Sequence, residues 1–179
     1  MRTKRLELVA ADEAMTEAER FDRTRFSHLL GARIPAEWPP ESLIDALAVF
    51  HLLIHERPDL RGWLAWYALL PPDEPGASAS PLLVAGGGFK GGPDPRGMVE
   101  IGYSVLPAYR RRGIATEIVG ALVAWAFAHP TVHGVEAETA PENRASRRVL
   151  EKCGFRRNGQ GSEGGLRFEC MKRRPRADE

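Results

Sequence analysis

Between residues 98 and 153 the chain alternates strand, helix, strand and helix, and that order dictates how its centre pairs. Residues 98–106 form an apolar-rich run broken by Glu100 and Gly102, the pattern of a central strand. Over 113–128, Ile114, Ile118, Leu122 and Ala126 recur at steps of four with Val119 and Val123 beside them, which predicts a helix. Residues 132–139 read as a second strand, and 143–153 as a helix closed by Gly154. Two strands joined through a helix lie parallel with a right-handed crossover.

The flanks add strands of another kind. Residues 6–9 read as a strand and 11–20 as a helix, and Leu43, Leu47, Phe50 and Ile54 predict a second helix through His55. Residues 63–70 and 81–89 read as strands joined by the Pro-, Ser- and Gly-rich loop 71–80, for which antiparallel pairing is the simplest connection. A last strand spans 164–171, and 172–179 is expected to be a flexible charged tail. The expected fold is α+β, a mixed twisted sheet of six to seven strands with flanking helices. With 179 residues and no internal repeat, one domain over 1–179 is expected.

Charge and cysteine content narrow the function classes. A net charge of +1 gives no field to draw the chain to nucleic acid or an anionic membrane, so any anion site must be local. The apolar stretch 121–128 is too short to span a bilayer, and no signal-peptide core follows the basic N-terminus. Only Cys153 and Cys170 are present, far apart, which fits a reducing compartment. The expectation is a soluble cytoplasmic protein.

The turn between strand 98–106 and its helix carries that local site. Pro107, Ala108 and Tyr109 lead into Arg110, Arg111 and Arg112, then Gly113, Ile114, Ala115 and Thr116. A helix start exposes unpaired N–H groups and the positive end of the dipole, which favours phosphate. Small residues at 113 and 115 let the backbone approach it. This run resembles the (Arg/Gln)-x-x-Gly-x-(Gly/Ala) coenzyme A signature of the GNAT acetyltransferase superfamily, with Arg110, Gly113 and Ala115 on its defined positions. Asn143 through Ser146 to Gly154-Phe155 resembles the superfamily's second segment. Residues 99–103 and the N-terminal Arg5-Leu6-Glu7-Leu8 are similar to the branch that acetylates ribosomal-protein N-termini.

The resemblance implies acetyl-coenzyme A as co-substrate, no metal, and a coenzyme-binding core over about 98–155. It implies that strands 98–106 and 132–139 splay apart around the pantetheine arm, to which Tyr103, Ser104 and Val105 offer backbone groups. A β-bulge near Gly102 would open such a gap. The implied coenzyme set is Tyr103, Ser104, Val105, Arg110, Arg111, Arg112, Gly113, Ile114, Ala115, Thr116, Asn143 and Ser146.

The implied reaction is acetyl transfer to a primary amine, on a small molecule or a protein N-terminus, by direct attack on the thioester. Where many relatives carry a proton-donating tyrosine, this chain has Leu150, so Ser146 becomes the candidate donor to the thiolate. Ser146 serves equally as a helix-start hydrogen-bonding residue, and Asn143 as an N-cap. Glu100 is the candidate base for the amine, with an ion pair or simple exposure as its other reading. Trp38, Trp63, Trp66 and Tyr67 are candidates for an acceptor pocket or for core packing. Leu150 also leaves open a non-catalytic acyl-coenzyme A sensor. The oligomeric state, a homodimer included, stays open.

The literal G-x-G-x-x-G at Gly86–Gly91 is followed by Gly92-Pro93 rather than a helix and predicts no dinucleotide site. His51 and His55 sit one helical turn apart without a third metal ligand in view.

Overall fold

The computed structural model describes residues 1–72, 80–161 and 164–173. Most of the predicted loop 71–80 and of the predicted tail 172–179 lies outside them. In chain order the elements are β1 (Glu7–Ala10), α1 (Glu13–Phe21), α2 (Arg23–Leu30), α3 (Ile44–Glu56), β2 (Ala65–Leu70), β3 (Leu82–Phe89), β4 (Met98–Val105), α4 (Ile114–Phe127), β5 (Gly134–Thr139), α5 (Arg144–Lys152), β6 (Arg156–Gln160) and β7 (Leu166–Met171).

Among the described residues the strands form one seven-stranded sheet ordered β1-β2-β3-β4-β5-β7-β6. Every neighbouring pair is antiparallel except β4 and β5, the pair joined through α4. The fold is therefore α+β with a mixed sheet. Alternation along the strands sends side chains to two cores. One core joins Val99, Ile101 and Val105 to Ile118, Val119 and Leu122 of α4 and Leu150 of α5. The other joins Tyr67, Leu69 and Leu83 to Phe26 and Leu30 of α2 and Ile54 of α3. No helix among the described residues is long and apolar enough to cross a membrane.

Several boundaries differ from the pattern reading for local reasons. Helix α1 starts at Glu13 because the Asp12 carboxylate caps it, accepting from the Met15 N–H at 2.9 Å. Helix α2 has no strong apolar stripe. Asp22 starts it and Gly31, at φ 62°, ends it, and its contribution is to bury Phe26 and Leu30. Strand β6 is exposed at every position, so it carries no alternation and is held by backbone pairing to β7. The bulge expected near Gly102 is absent: β3 and β4 stay in register from Ala85↔Val105 to Phe89↔Ile101. A register shift falls instead between Ala68 and Leu69 of β2.

Candidate active site

The sheet opens between its two parallel strands. β4 and β5 pair only at Met98↔Gly134, Val99↔Val135 and Glu100↔Glu136. Beyond that point β4 stays bonded to β3 and β5 to β7, so each is held from outside while the space between them widens. Ile101 and Tyr103 on one side and Ala137 and Thr139 on the other line a cavity of about 640 Å³. A Cβ built on Gly102 would meet nothing within 4 Å, so this glycine leaves open space in the gap. The splay comes from the end of the ladder, without an inserted residue.

At the end of β4 the chain makes a short helical turn over Pro107–Tyr109 and then reverses. Arg111 and Gly113 hold left-handed conformations, φ 59° and 77°, which tighten the entry into α4. Gly113 is the N-cap of α4 and has no side chain to satisfy the first N–H groups. Among the described residues no acceptor takes a hydrogen bond from the backbone N–H of 111–116. Those donors and the dipole leave a cationic pole at this corner. Arg110 turns back, its Nε donating to the Val105 carbonyl at 3.0 Å, while the Arg112 guanidinium lies 5.4 Å from the Tyr109 ring centre. The Ile114 side chain is in the core, and Ala115 packs against it.

A brace supports this turn. Glu117, in the first turn of α4, accepts from Thr3 Oγ1 at 2.6 Å and from Arg5 N and Nε at 2.7 Å. Arg5 Nη1 donates to the Arg112 carbonyl at 2.7 Å. Burial raises the Glu117 carboxyl, but these donors outweigh it and hold the group below its ordinary range. Sequence reasoning assigned none of the three residues a role; the only signal was the similarity at Arg5-Leu6-Glu7-Leu8.

The second cluster joins β4 to α5. The Asn143 Oδ1 caps α5, accepting from the Ser146 N–H at 3.0 Å. Ser146 Oγ and Tyr103 Oη lie 2.9 Å apart, and the Tyr103 hydroxyl also reaches the Ser146 carbonyl at 3.2 Å. Burial pushes the Tyr103 phenol above its ordinary value, so it stays protonated. Leu150 is fully buried in the core beside this pair. The sequence reading used only the backbone of Tyr103 and missed its hydroxyl, because nothing local links residues 103 and 146. Ser104 points to the other face, where its Oγ accepts from Ser42 Oγ at 2.8 Å.

Glu100 forms an ion pair with Lys90. Lys90, Asn143 and Ser146 line the cavity, whereas Glu100 stands behind Lys90 outside the lining. Trp38, Trp66 and Tyr67 line it too. Trp63 packs elsewhere, against Trp125, Phe89 and His129. His51 bonds Thr16 and His55 bonds Glu13, and among the described residues no three acidic, His or Cys side chains group to hold a metal.

Comparison with known proteins gives the site its relatives. The model of the acetyltransferase (GNAT) domain matches residues 5–156. YjdG, an uncharacterized N-acetyltransferase of Bacillus subtilis (strain 168), is 28% identical over 163 residues, covering 91% of this chain and 93% of that protein. A ribosomal-protein-S5-alanine acetyltransferase from Vibrio fischeri superposes with a TM-score of 0.63 at 18% identity, covering 96% of this chain and 95% of that one. A spermidine N-acetyltransferase from Vibrio cholerae, solved with CoA and spermine, superposes with a TM-score of 0.61 at 14% identity, covering 94% and 96%.

Proposed function

The chain belongs to the GNAT acetyltransferase family and is an N-acetyltransferase enzyme, and from that premise we propose that it moves the acetyl group of acetyl-coenzyme A onto a primary amine by direct attack on the thioester. The observation that carries this reading is the placement of Ser146 and Tyr103 on a cavity that runs between the splayed strands.

The donor substrate fits the residues present. The unpaired N–H groups of 111–116, with Arg110, Arg111 and Arg112 beside them, suit a pyrophosphate. Backbone bonds from the Lys90 N–H to the Glu100 carbonyl and from the Leu106 N–H to the Val84 carbonyl set the even positions of β4, Ser104 among them, toward β3, so Tyr103 and Val105 are the residues that present strand backbone on the side β5 has left. Such backbone groups are the natural partners for the amides of a pantetheine arm. Arg110, bonded to the Val105 carbonyl, ties the strand end to the phosphate-binding turn.

In the transfer, a C–N bond forms as the C–S bond breaks, the amine loses a proton and the thiolate gains one. Ser146 Oγ supplies that proton and Tyr103 Oη replaces it, the phenol being neutral and in hydrogen-bond contact. Asn143 fixes Ser146 by capping the helix that carries it. Glu100, paired with Lys90 behind the cavity lining, receives the amine proton through water.

Thiol release from acetyl-coenzyme A across a panel of amines and peptides tests the reading. Turnover that falls sharply in Ser146→Ala while coenzyme binding is spared supports it. Tight coenzyme binding with no turnover on any amine would favour the sensor reading that the buried Leu150 keeps in play.

A further inference from the structure

Of the four lysines Lys4, Lys90, Lys152 and Lys172, Lys90 is the one that lines the cavity shared by Tyr103 and Ser146. The sheet puts it there. Phe89 pairs with Ile101, and both enter the core beneath α4. The Lys90 N–H donates to the Glu100 carbonyl at 2.9 Å, which continues the ladder by one pair. Alternation then turns the side chains of Lys90 and Glu100 to the opposite face, where Phe50 and Leu53 of α3 line the same cavity.

The ammonium is loosely held. Its side chain is 64% exposed, and among the described residues Glu100 is its partner. An ion pair that open to water is weak and breaks readily. Two positions along the same face of β4 comes Gly102, diagonal to Lys90 and within reach of a long side chain. A Cβ on Gly102 would meet nothing within 4 Å, so the way across it is open. That way leads to the end of the β4–β5 ladder at Glu100↔Glu136, where the gap between the strands begins.

Resting on the acetyltransferase reading above, we infer that Lys90 is an acetylation site of the protein's own reaction, its amine taking the acetyl group from coenzyme bound to the same chain. The ammonium first gives one proton to water. Nζ then attacks the thioester carbonyl, a C–N bond forms as the C–S bond breaks, Nζ passes its second proton to the Glu100 carboxylate, and the thiolate takes one from Ser146 Oγ. Glu100 and Ser146 regain their starting states through solvent, so the sum is an ammonium and an acetyl thioester converted to an amide, a thiol and one released proton. The amide carries no charge, and the pair with Glu100 is lost. One negative charge is then uncompensated at the edge of a cavity that Asp45 and Glu138 also line.

The test incubates the full chain with acetyl-coenzyme A and no added amine, and locates acetylated lysines by tandem mass spectrometry. Lys90 is expected to react roughly tenfold or more faster than Lys4, Lys152 and Lys172, since only Lys90 is held beside the thioester. The fraction modified at a given time should not change with protein concentration. Ser146→Ala, shown by circular dichroism to be folded, should slow acetylation of Lys90 by roughly 10²-fold and leave the other three lysines unchanged. Acetylation of Lys90 no faster than of the other lysines, equal rates in Ser146→Ala, or a rate that climbs with protein concentration would each overturn the inference. Thiol release with the amine and peptide panel is measured alongside. Turnover of an added amine with Lys90 left unmodified overturns the inference and leaves the acetyltransferase reading intact, whereas no acetyl transfer to Lys90 or to any added amine overturns both.

Discussion

Arg5 and Glu117 meet at 2.7 Å across 112 positions of sequence, and their contact ties the N-terminal segment to the first turn of α4. Because Arg5 also bonds the Arg112 carbonyl, this segment braces the turn that presents the unpaired N–H groups. Glu117→Ala would leave the Arg5 N–H without its acceptor and the Thr3 hydroxyl with only its longer bond to the Leu6 carbonyl, at 3.1 Å. The expected cost is about 1–3 kcal/mol in urea unfolding. The Arg5 side chain is 44% exposed, so the ion pair itself contributes only a small part of this. In steady-state kinetics Arg5→Ala should raise KM for acetyl-coenzyme A more than KM for the amine.

The two notable carboxylates pull stability in opposite directions with pH. Glu117 is held below its ordinary value, so in acid the unfolded chain takes up its proton first. Its stabilisation is complete above about pH 4.3, the unfolded value, and is lost as pH falls through the lower folded value. Burial raises Glu19 against its bonds from Tyr67 and Trp38, so the folded chain keeps that proton longer. Stability therefore declines as pH rises from the unfolded value through the raised folded one. Chemical unfolding from pH 3 to 8 should show a shallower acid limb in Glu117→Gln. In Glu19→Gln, the decline above about pH 4.3 should disappear.

Ser146 and Tyr103 should act as one unit. Ser146→Ala is expected to lower kcat by roughly 10²-fold, in the range of general-acid contributions, with little change in acetyl-coenzyme A affinity. Tyr103→Phe keeps the ring and loses the hydroxyl at 2.9 Å, and a smaller fall is expected. If the phenol works through the serine, the double variant should be no slower than Ser146→Ala alone. Additive losses in stopped-flow or steady-state measurements would contradict the series arrangement.

Gly88 tests how closely the sheet is packed beside the cavity. A Cβ there would overlap the carbonyl oxygen of Leu64, which accepts the Phe89 N–H at 3.1 Å. Gly88→Ala should therefore destabilise by about 3 kcal/mol or more, measured as a lower midpoint in urea. Gly102→Ala meets open space and should cost far less. Equal losses in the two would mean that strand propensity, not contact, sets the effect.

What could be read from the residues alone is what is written in contiguous stretches. The helical period at Ile114, Ile118 and Leu122, the cap at Asn143 and the strand before Pro107 are local patterns, and they are enough for the parallel crossover and the mixed sheet. Strand β6 and helix α2 left no such trace, since Arg156–Gln160 is exposed throughout and Arg23–Leu30 commits only Phe26 and Leu30 to the core. Residues Arg110 to Thr116 could be singled out in sequence because a helix start, small residues and arginines sit side by side. Tertiary structure alone decided the pairs: Tyr103 with Ser146, Arg5 with Glu117, and Glu19 with Trp38 and Tyr67. It also decided that Glu100 faces Lys90. The reason is physical: backbone periodicity and capping depend on neighbours within a turn or two. Which distant side chains meet depends on strand register and helix packing, which exist only once the sheet has assembled.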